Sequence, residues 1–396
     1  MHLTGAKFIS VRNALLLGIS FFSFALFIGM FEFSLSLKLN DIDAAVFLIG
    51  LFISLSWFLT TFLDLFWGVL IDRVGKWRAI IVGCVIFGIS AFLFAFSSDI
   101  WVLFFLNLTA YLGFDVMYIA LEGFLIDSSS KKYFNYSTSG FFSIWSAAYV
   151  SGPILAAVII SAFDLSSVYL FAIPLMFTSI VLFFIFFRKS FKLENSRKTE
   201  KIDLSKDIKY FVKLLKSEYL ILFGIFVCTF WHATMLVGIP IYFAIDEGNL
   251  WDAALVATAF AFPFIFTDLI DGLIATNKHR RLLIITCGFL LGAFALFLFF
   301  LTNSVLFAML FAFTSTIGVN FAWATFEIEA GLISQRSTSG KVESFFVFAK
   351  NLGWDIAPIV FGTIAFLFST KTPFLVVSIG LLVVAIFFFL QHNQVK

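Results

Sequence analysis

The chain has 396 residues, 61% of them hydrophobic and only 13% charged, with a formal net charge of +2. Soluble domains carry roughly 25% charged residues, so a water-soluble globule is excluded; the small net charge is uninformative by itself, and no nucleic-acid partner is expected. The three cysteines, Cys84, Cys228 and Cys287, lie in apolar runs without a partner at metal-ligand spacing, which implies neither a disulfide framework nor a metal site.

A helix needs about 20 mainly apolar residues to cross the hydrocarbon core of a bilayer. The first such segment is 14–37, too long for the apolar region of a signal peptide and so read as a retained helix. The others follow at 44–70, 79–97, 100–126, 139–162, 168–187, 219–244, 252–275, 282–301, 304–333, 342–368 and 373–390. This pattern predicts an all-α membrane protein with twelve transmembrane helices. The 60 phenylalanines are read as apolar filler facing lipid. Connections are short except for 188–218, which divides the chain into an N-terminal six-helix half (1–187) and a C-terminal half (219–396). Within that linker Ile208, Phe211, Val212 and Leu215 recur at helical spacing among Lys206, Lys209, Lys213 and Lys216. They predict an amphipathic helix resting on the inner leaflet.

Orientation follows from the distribution of Lys and Arg. With the N-terminus inside, the cytoplasmic segments hold 23 of the 26; Lys38 and Lys371 fall outside and Lys350 lies within a helix. Both termini are therefore expected in the cytoplasm of a multi-pass protein of the cell membrane, in a prokaryote the plasma membrane.

The two halves repeat. Asp64-Leu65-x-x-Gly68 recurs as Asp268-Leu269-x-x-Gly272. Tyr111, Asp115, Tyr118 and Glu122 in the fourth segment match Thr316, Asn320, Trp323 and Glu327 in the tenth, and Gly113 matches Gly318. Ala148-x-x-x-Gly152-Pro153 matches Gly353-x-x-x-Ala357-Pro358, and Ser-Thr-Ser-Gly precedes both, at 137–140 and 337–340. The offset is 204 or 205 in all but the Ser-Thr-Ser-Gly match, where it is 200, and a duplicated six-helix unit explains the series.

Twelve helices, a basic central loop and a parallel repeat resemble the major facilitator superfamily. The run after the second segment is similar to that family's signature, with Gly68, Asp72, Arg73, Gly75, Lys76 and Arg78 in place and Trp77 departing. Its second copy, Gly272 to Arg281, keeps the glycine and the basic end but has Thr276 where the acid belongs. Gly152-Pro153 stands where antiporters of the family carry a glycine-proline element, while Thr109 replaces the fourth-segment arginine of proton/drug antiporters. The resemblance implies two pseudo-symmetric six-helix bundles and a signature loop that acts as a conformational latch. Gly75 suits a tight turn with φ > 0. Asp72 suits a helix N-terminus, which the resemblance places near Gly340 to Val342. Arg73 is assigned Asp127 as its acid.

Ionisable groups inside a membrane are costly and usually functional. Counting inward from the helix ends puts Asp115, His232, Lys350 and Asp355 near the midplane, Glu122 and Glu327 toward the cytoplasm and Glu32 toward the outside. Since the resemblance has helices 1, 4, 7 and 10 line the cavity, the face of Tyr111, Asp115, Tyr118 and Glu122 would look into it, as would Asn320 and Glu327. His232, beside Trp231, is a proton group or a hydrogen-bonded structural histidine. Lys350 binds an anionic solute or pairs with an acid on another helix such as Asp115. Glu32 is a proton site or an outer-gate residue. No phosphate-binding loop, metal cluster or nucleophile-base pair is present, so neither a cofactor nor an enzymatic activity is expected. The expected function is secondary transport of a small organic solute by alternating access, as proton-coupled symport. Proton antiport of lipophilic compounds and a lipid scramblase are the alternatives. The expected partners are the solute, protons and the bilayer, with the chain acting as a monomer.

Overall fold

The computed structural model describes residues 3–128, 134–187, 204–267, 278–336 and 339–394. Side chains are also left undescribed at a few places within these stretches, among them Asp72, Arg73, Asp127 and residues 204–215. The latch roles given to Asp72, Arg73 and Asp127, and the amphipathic face given to the linker, therefore fall outside the described residues.

All regular structure among the described residues is helical: α1 (Leu3–Asn40), α2 (Val46–Val74), α3 (Lys76–Leu93), α4 (Ile100–Ser128), α5 (Phe134–Ala162), α6 (Leu165–Leu170), α7 (Ala172–Phe187), α8 (Leu204–Ile239), α9 (Leu250–Ala261), α10 (Lys278–Leu301), α11 (Val305–Arg336), α12 (Ser339–Leu367) and α13 (Thr372–Gln394). Eleven stretches among the described residues are long and apolar enough to cross a membrane. The twelfth expected crossing falls on α12, a helix of 29 residues whose middle is diluted by Lys350, Asn351 and Asp355.

Several boundaries differ from the sequence reading, each for a local reason. The basic loop after the second segment is a corner, because α2 runs on to Val74 and α3 starts at Lys76. Charged residues can extend a helix past the bilayer, and only Gly75, at φ 96°, breaks it. The sixth segment is split at Phe171 into α6 and α7, with Asp164 capping α6 by accepting from Ser167 N at 2.6 Å. That hydrogen bonding holds the exposed Asp164 carboxyl below its ordinary value. α8 bends at Glu218 (φ −119°, ψ 20°) and passes into a π-helical turn at Pro240–Asp246, where Pro240 supplies no amide hydrogen.

The chain divides into two compact units: 1–44, 62–199 and 264–272 form the first, and 45–61, 200–263 and 273–396 the second. α2 contributes to both, its first half to the second unit and its last half to the first. In the first unit α1 packs on α5 and α7, and α3 on α4. In the second, α8 packs on α12, and α10 on α11 and α13. The contacts within each unit follow the same scheme, as a duplication requires.

The scheme is visible in two glycine contacts. A Cβ on Gly113 would meet Gly83 O at 2.8 Å and Phe87 N at 2.6 Å, and one on Gly318 would meet Gly288 O at 2.6 Å. Gly83 and Gly288 stand at the same offset of 205 as Gly113 and Gly318. Backbones approach this closely only where both sides lack a side chain. Gly113→Val is expected to cost about 1–3 kcal/mol by overpacking and to lower the melting temperature in detergent. Gly380→Val is the control, since nothing lies within 4 Å of a Cβ there.

The phenylalanines divide between two surroundings. Phe96, Phe105, Phe163 and Phe177 are exposed, as filler facing lipid would be, but Phe21, Phe24, Phe27 and Phe31 of α1 are fully buried. Their rings meet Phe87 (5.2 Å from Phe24), Phe94 (5.4 Å from Phe31), Tyr169 (5.8 Å from Phe31) and Phe183 (5.5 Å from Phe21). Four aromatic residues at helical spacing let one helix seat rings against three neighbours, mostly tilted or edge to face.

Lys38 and Lys371, the two lysines that the sequence reading assigned to the outer loops, are both tied down. Lys38 is 3% exposed and donates to Ser166 Oγ at 3.3 Å. Lys371 donates to Thr302 O and Asn303 Oδ1, both at 2.6 Å, and lies 5.1 Å over the Tyr242 ring. Partial burial pulls its ammonium below the usual lysine value. Beside it, Thr370 donates to Asp246.

Candidate functional site

In the second unit, α8, α11 and α12 carry six of the singled-out residues. Trp323 and Glu327 lie one turn apart on α11, and the indole Nε1 donates to Glu327 Oε1 at 2.9 Å. Lys350 of α12 places Nζ 3.2 Å from the same oxygen and 5.5 Å over the Trp323 ring. His232 of α8 stands 4.6 Å from Trp354, 5.7 Å from Trp323 and 5.2 Å from Phe260 between ring centroids. Asn320, one turn before Trp323, is 5% exposed. Asp355, on α12 beside Trp354, accepts from Thr61 Oγ1 at 3.2 Å and is 3% exposed. Within its own unit Lys350 thus meets Glu327, an acid that the sequence reading had not paired with it. Interhelical pairing depends on the register between helices, which residue spacing along one helix does not encode.

Trp231 departs from this group. It is fully buried, its indole donates to Ser315 Oγ at 3.1 Å, and its ring packs on Phe260 at 5.3 Å. It anchors α8 to α11 and does not join the His232 cluster through its polar end.

The first unit holds a second polar group. Tyr149 of α5 donates to Glu32 Oε2 of α1 at 2.6 Å. The two helices cross one turn away, where a Cβ on Gly152 would meet Gly29 Cα at 2.6 Å. On α4, Tyr111, Asp115, Tyr118 and Glu122 share a face walled by aromatic rings. Tyr118 stacks on Phe114 (5.4 Å, 19°) and meets Trp145 edge-on (5.9 Å, 69°), while Tyr111 lies 6.2 Å from Phe31. Asp115 and Glu122 are half-buried.

Where α3 and α10 begin, Lys76 Nζ donates to Gly123 O of α4 at 2.9 Å, and Arg281 pairs with Glu329 of α11 at 2.6 Å. Lys76 and Arg281 are themselves 205 apart, so each repeat ties its third helix to its fourth by a cation. Arg78 is exposed and lies 5.2 Å over Trp77.

The sequence reading missed Tyr149 and Trp354, which complete the two groups. A signal existed, because Tyr149 and Trp354 are 205 apart and directly follow the matched residues Ala148 and Gly353. Trp57, 5.6 Å from Trp354, and Thr61 were also missed, since they sit on a helix whose first half belongs to the second unit.

Duplicated helices long and apolar enough to cross a membrane, with charged and aromatic groups held among them, define a polytopic membrane protein of the transporter class. The chain belongs to the Major Facilitator Superfamily, whose family model matches residues 15–326. No curated protein matches. Among solved structures it is similar to a POT family transporter in complex with 5-aminolevulinic acid, at 12% identity and a TM-score of 0.76. It is also similar to a POT family transporter in complex with a thioalcohol-conjugated peptide, at 13% identity and 0.78. Each match covers 97% of both chains. At such identity the likeness is one of fold.

Proposed function

We propose that this chain is a proton-coupled secondary transporter that moves a small organic solute with protons by alternating access. The observation that carries the reading is the pair of acids held by polar partners on neighbouring turns and helices: Glu32 by Tyr149 and Glu327 by Trp323 and Lys350. A carboxyl in a membrane interior is costly to keep charged, and acids there mark proton relays and solute pathways. Such groups couple a proton to a conformational cycle. The small polar ligands of the two similar structures favour a solute of that kind. The excess of Lys and Arg in one set of loops favours both termini on the cytoplasmic side of the cell membrane.

The test is purified protein in liposomes with an imposed pH gradient and a panel of labelled solutes. Accumulation on the side to which protons flow is the expected result. Flux indifferent to the gradient would remove proton coupling, and solute moving against the proton would establish antiport.

A further inference from the structure

We infer that Glu327 and the face of Trp323 form a seat for an organic cation, and that Lys350 occupies it as an internal stand-in which the solute displaces. The inference deepens the transport reading by naming the solute class, and rests on it only for its biological purpose.

The seat is built from α11 alone. Trp323 turns its N–H to Glu327 Oε1 at 2.9 Å, which fixes the carboxylate, while its ring carries a cation 5.5 Å from the centroid. A carboxylate beside an indole face is the pairing that recognises ammonium groups. The ammonium now there comes from another helix: Lys350 Nζ lies 3.2 Å from Oε1 and 5.5 Å from the ring centroid. His232, Trp354 and Phe260 continue the wall beside Trp323, so the apolar body of a solute would find aromatic surface next to the charge.

Two comparisons separate this ion pair from a structural one. Lys350 and Glu327 are 31% and 45% exposed, whereas the pair two residues along α11, Arg281 with Glu329, is 14% and 25% exposed and shorter at 2.6 Å. A lysine on a flexible four-carbon stem gives up such a place more readily than an arginine fork. The repeat supplies the second comparison. In the first half the position of Lys350 is Trp145 and that of Trp323 is Tyr118, and Trp145 rests on Tyr118 at 5.9 Å. The same geometry holds a ring in one half and a charge in the other, so the lysine is an addition to the duplicated design and not part of its packing.

The test uses the full-length protein in detergent, with binding followed by calorimetry. The probes are 2-phenylethylammonium and, as the anionic control, phenylacetate. Lys350→Met is expected to tighten 2-phenylethylammonium binding about tenfold, the gain when an internal competitor that fills a seat roughly nine-tenths of the time is removed. Glu327→Gln is expected to abolish it. Lys350→Arg is expected to weaken it several-fold, because guanidinium holds a carboxylate more firmly. Weaker or unchanged binding in Lys350→Met overturns the proposal, as does phenylacetate binding that is lost in that variant. If Lys350→Met fails to fold, Lys350→Arg decides: unchanged or tighter binding overturns. Binding is read without flux, so tightening in Lys350→Met alongside pH-indifferent flux would retain the seat and remove proton coupling.

Discussion

Glu32→Gln is expected to lose pH-gradient-driven accumulation in liposomes at least tenfold while retaining solute exchange between equal pools. The carboxylate lies on α1 one turn from the contact of Gly29 with Gly152, and its oxygen receives the Tyr149 hydroxyl at 2.6 Å. Glutamine keeps the size and still accepts that hydrogen bond, so the fold should survive and only the exchangeable proton is removed. Exchange needs the solute site and the rocking of the protein, but no net proton movement. Tyr149→Phe leaves the acid and removes its donor. A hydrogen bond to a charged group contributes about 1.5–3 kcal/mol, so coupled transport should slow roughly ten- to a hundredfold without vanishing. If Glu32→Gln accumulates solute like the unaltered protein, the proton site lies elsewhere. If it loses exchange as well as accumulation, Glu32 serves the outer gate or the solute, and not the coupling.

The residues that made the fold legible are those whose signal is local. Apolar runs of about 20 residues locate the crossings, and Gly75 announced a turn that the structure closes at φ 96°. The repeat was legible because duplicated positions keep the same side chains where backbones touch, as Gly113 and Gly318 do. What escaped was set by register between helices. Nothing along the chain says that Lys350 will meet Glu327 or that Tyr149 will meet Glu32, because the choice depends on crossing angle and depth. The acids themselves were legible, since any charge in a span attracts notice, whereas their aromatic partners were hidden among many rings of the same kind. Phe31 illustrates the same limit: its hydrophobicity fits lipid and core equally, and only packing against Phe87, Phe94, Tyr111 and Tyr169 decides between them.

Gly50→Leu is expected to be the most damaging of the conservative apolar substitutions, lowering both melting temperature and transport, the latter at least tenfold. The first half of α2 belongs to the second unit and meets α12 through residues 50, 54, 57 and 61, which share one helical face. At Gly50 the backbones touch: an added Cβ would come 3.1 Å from Gly362 Cα, and one on Gly362 would come 2.8 Å from Val46 O. One turn on, Ser54 Oγ accepts from Ile359 N at 2.8 Å. Pro358 inside α12 supplies no amide hydrogen, and Ser54 takes the amide of the residue that follows. Trp57 then meets Trp354 edge-on (5.6 Å, 75°), and Thr61 donates to Asp355. A leucine at position 50 would separate the helices along the whole face, removing all four contacts together. Ser54→Ala removes one and leaves a buried amide without its acceptor, at a cost of about 1–3 kcal/mol. It should therefore lower the melting temperature less than Gly50→Leu and leave transport measurable. Wild-type melting in Gly50→Leu would show that this face is not held as closely as the structure draws it. Normal melting with lost transport would locate the defect in movement, making the face a seam that must part and reform in each cycle.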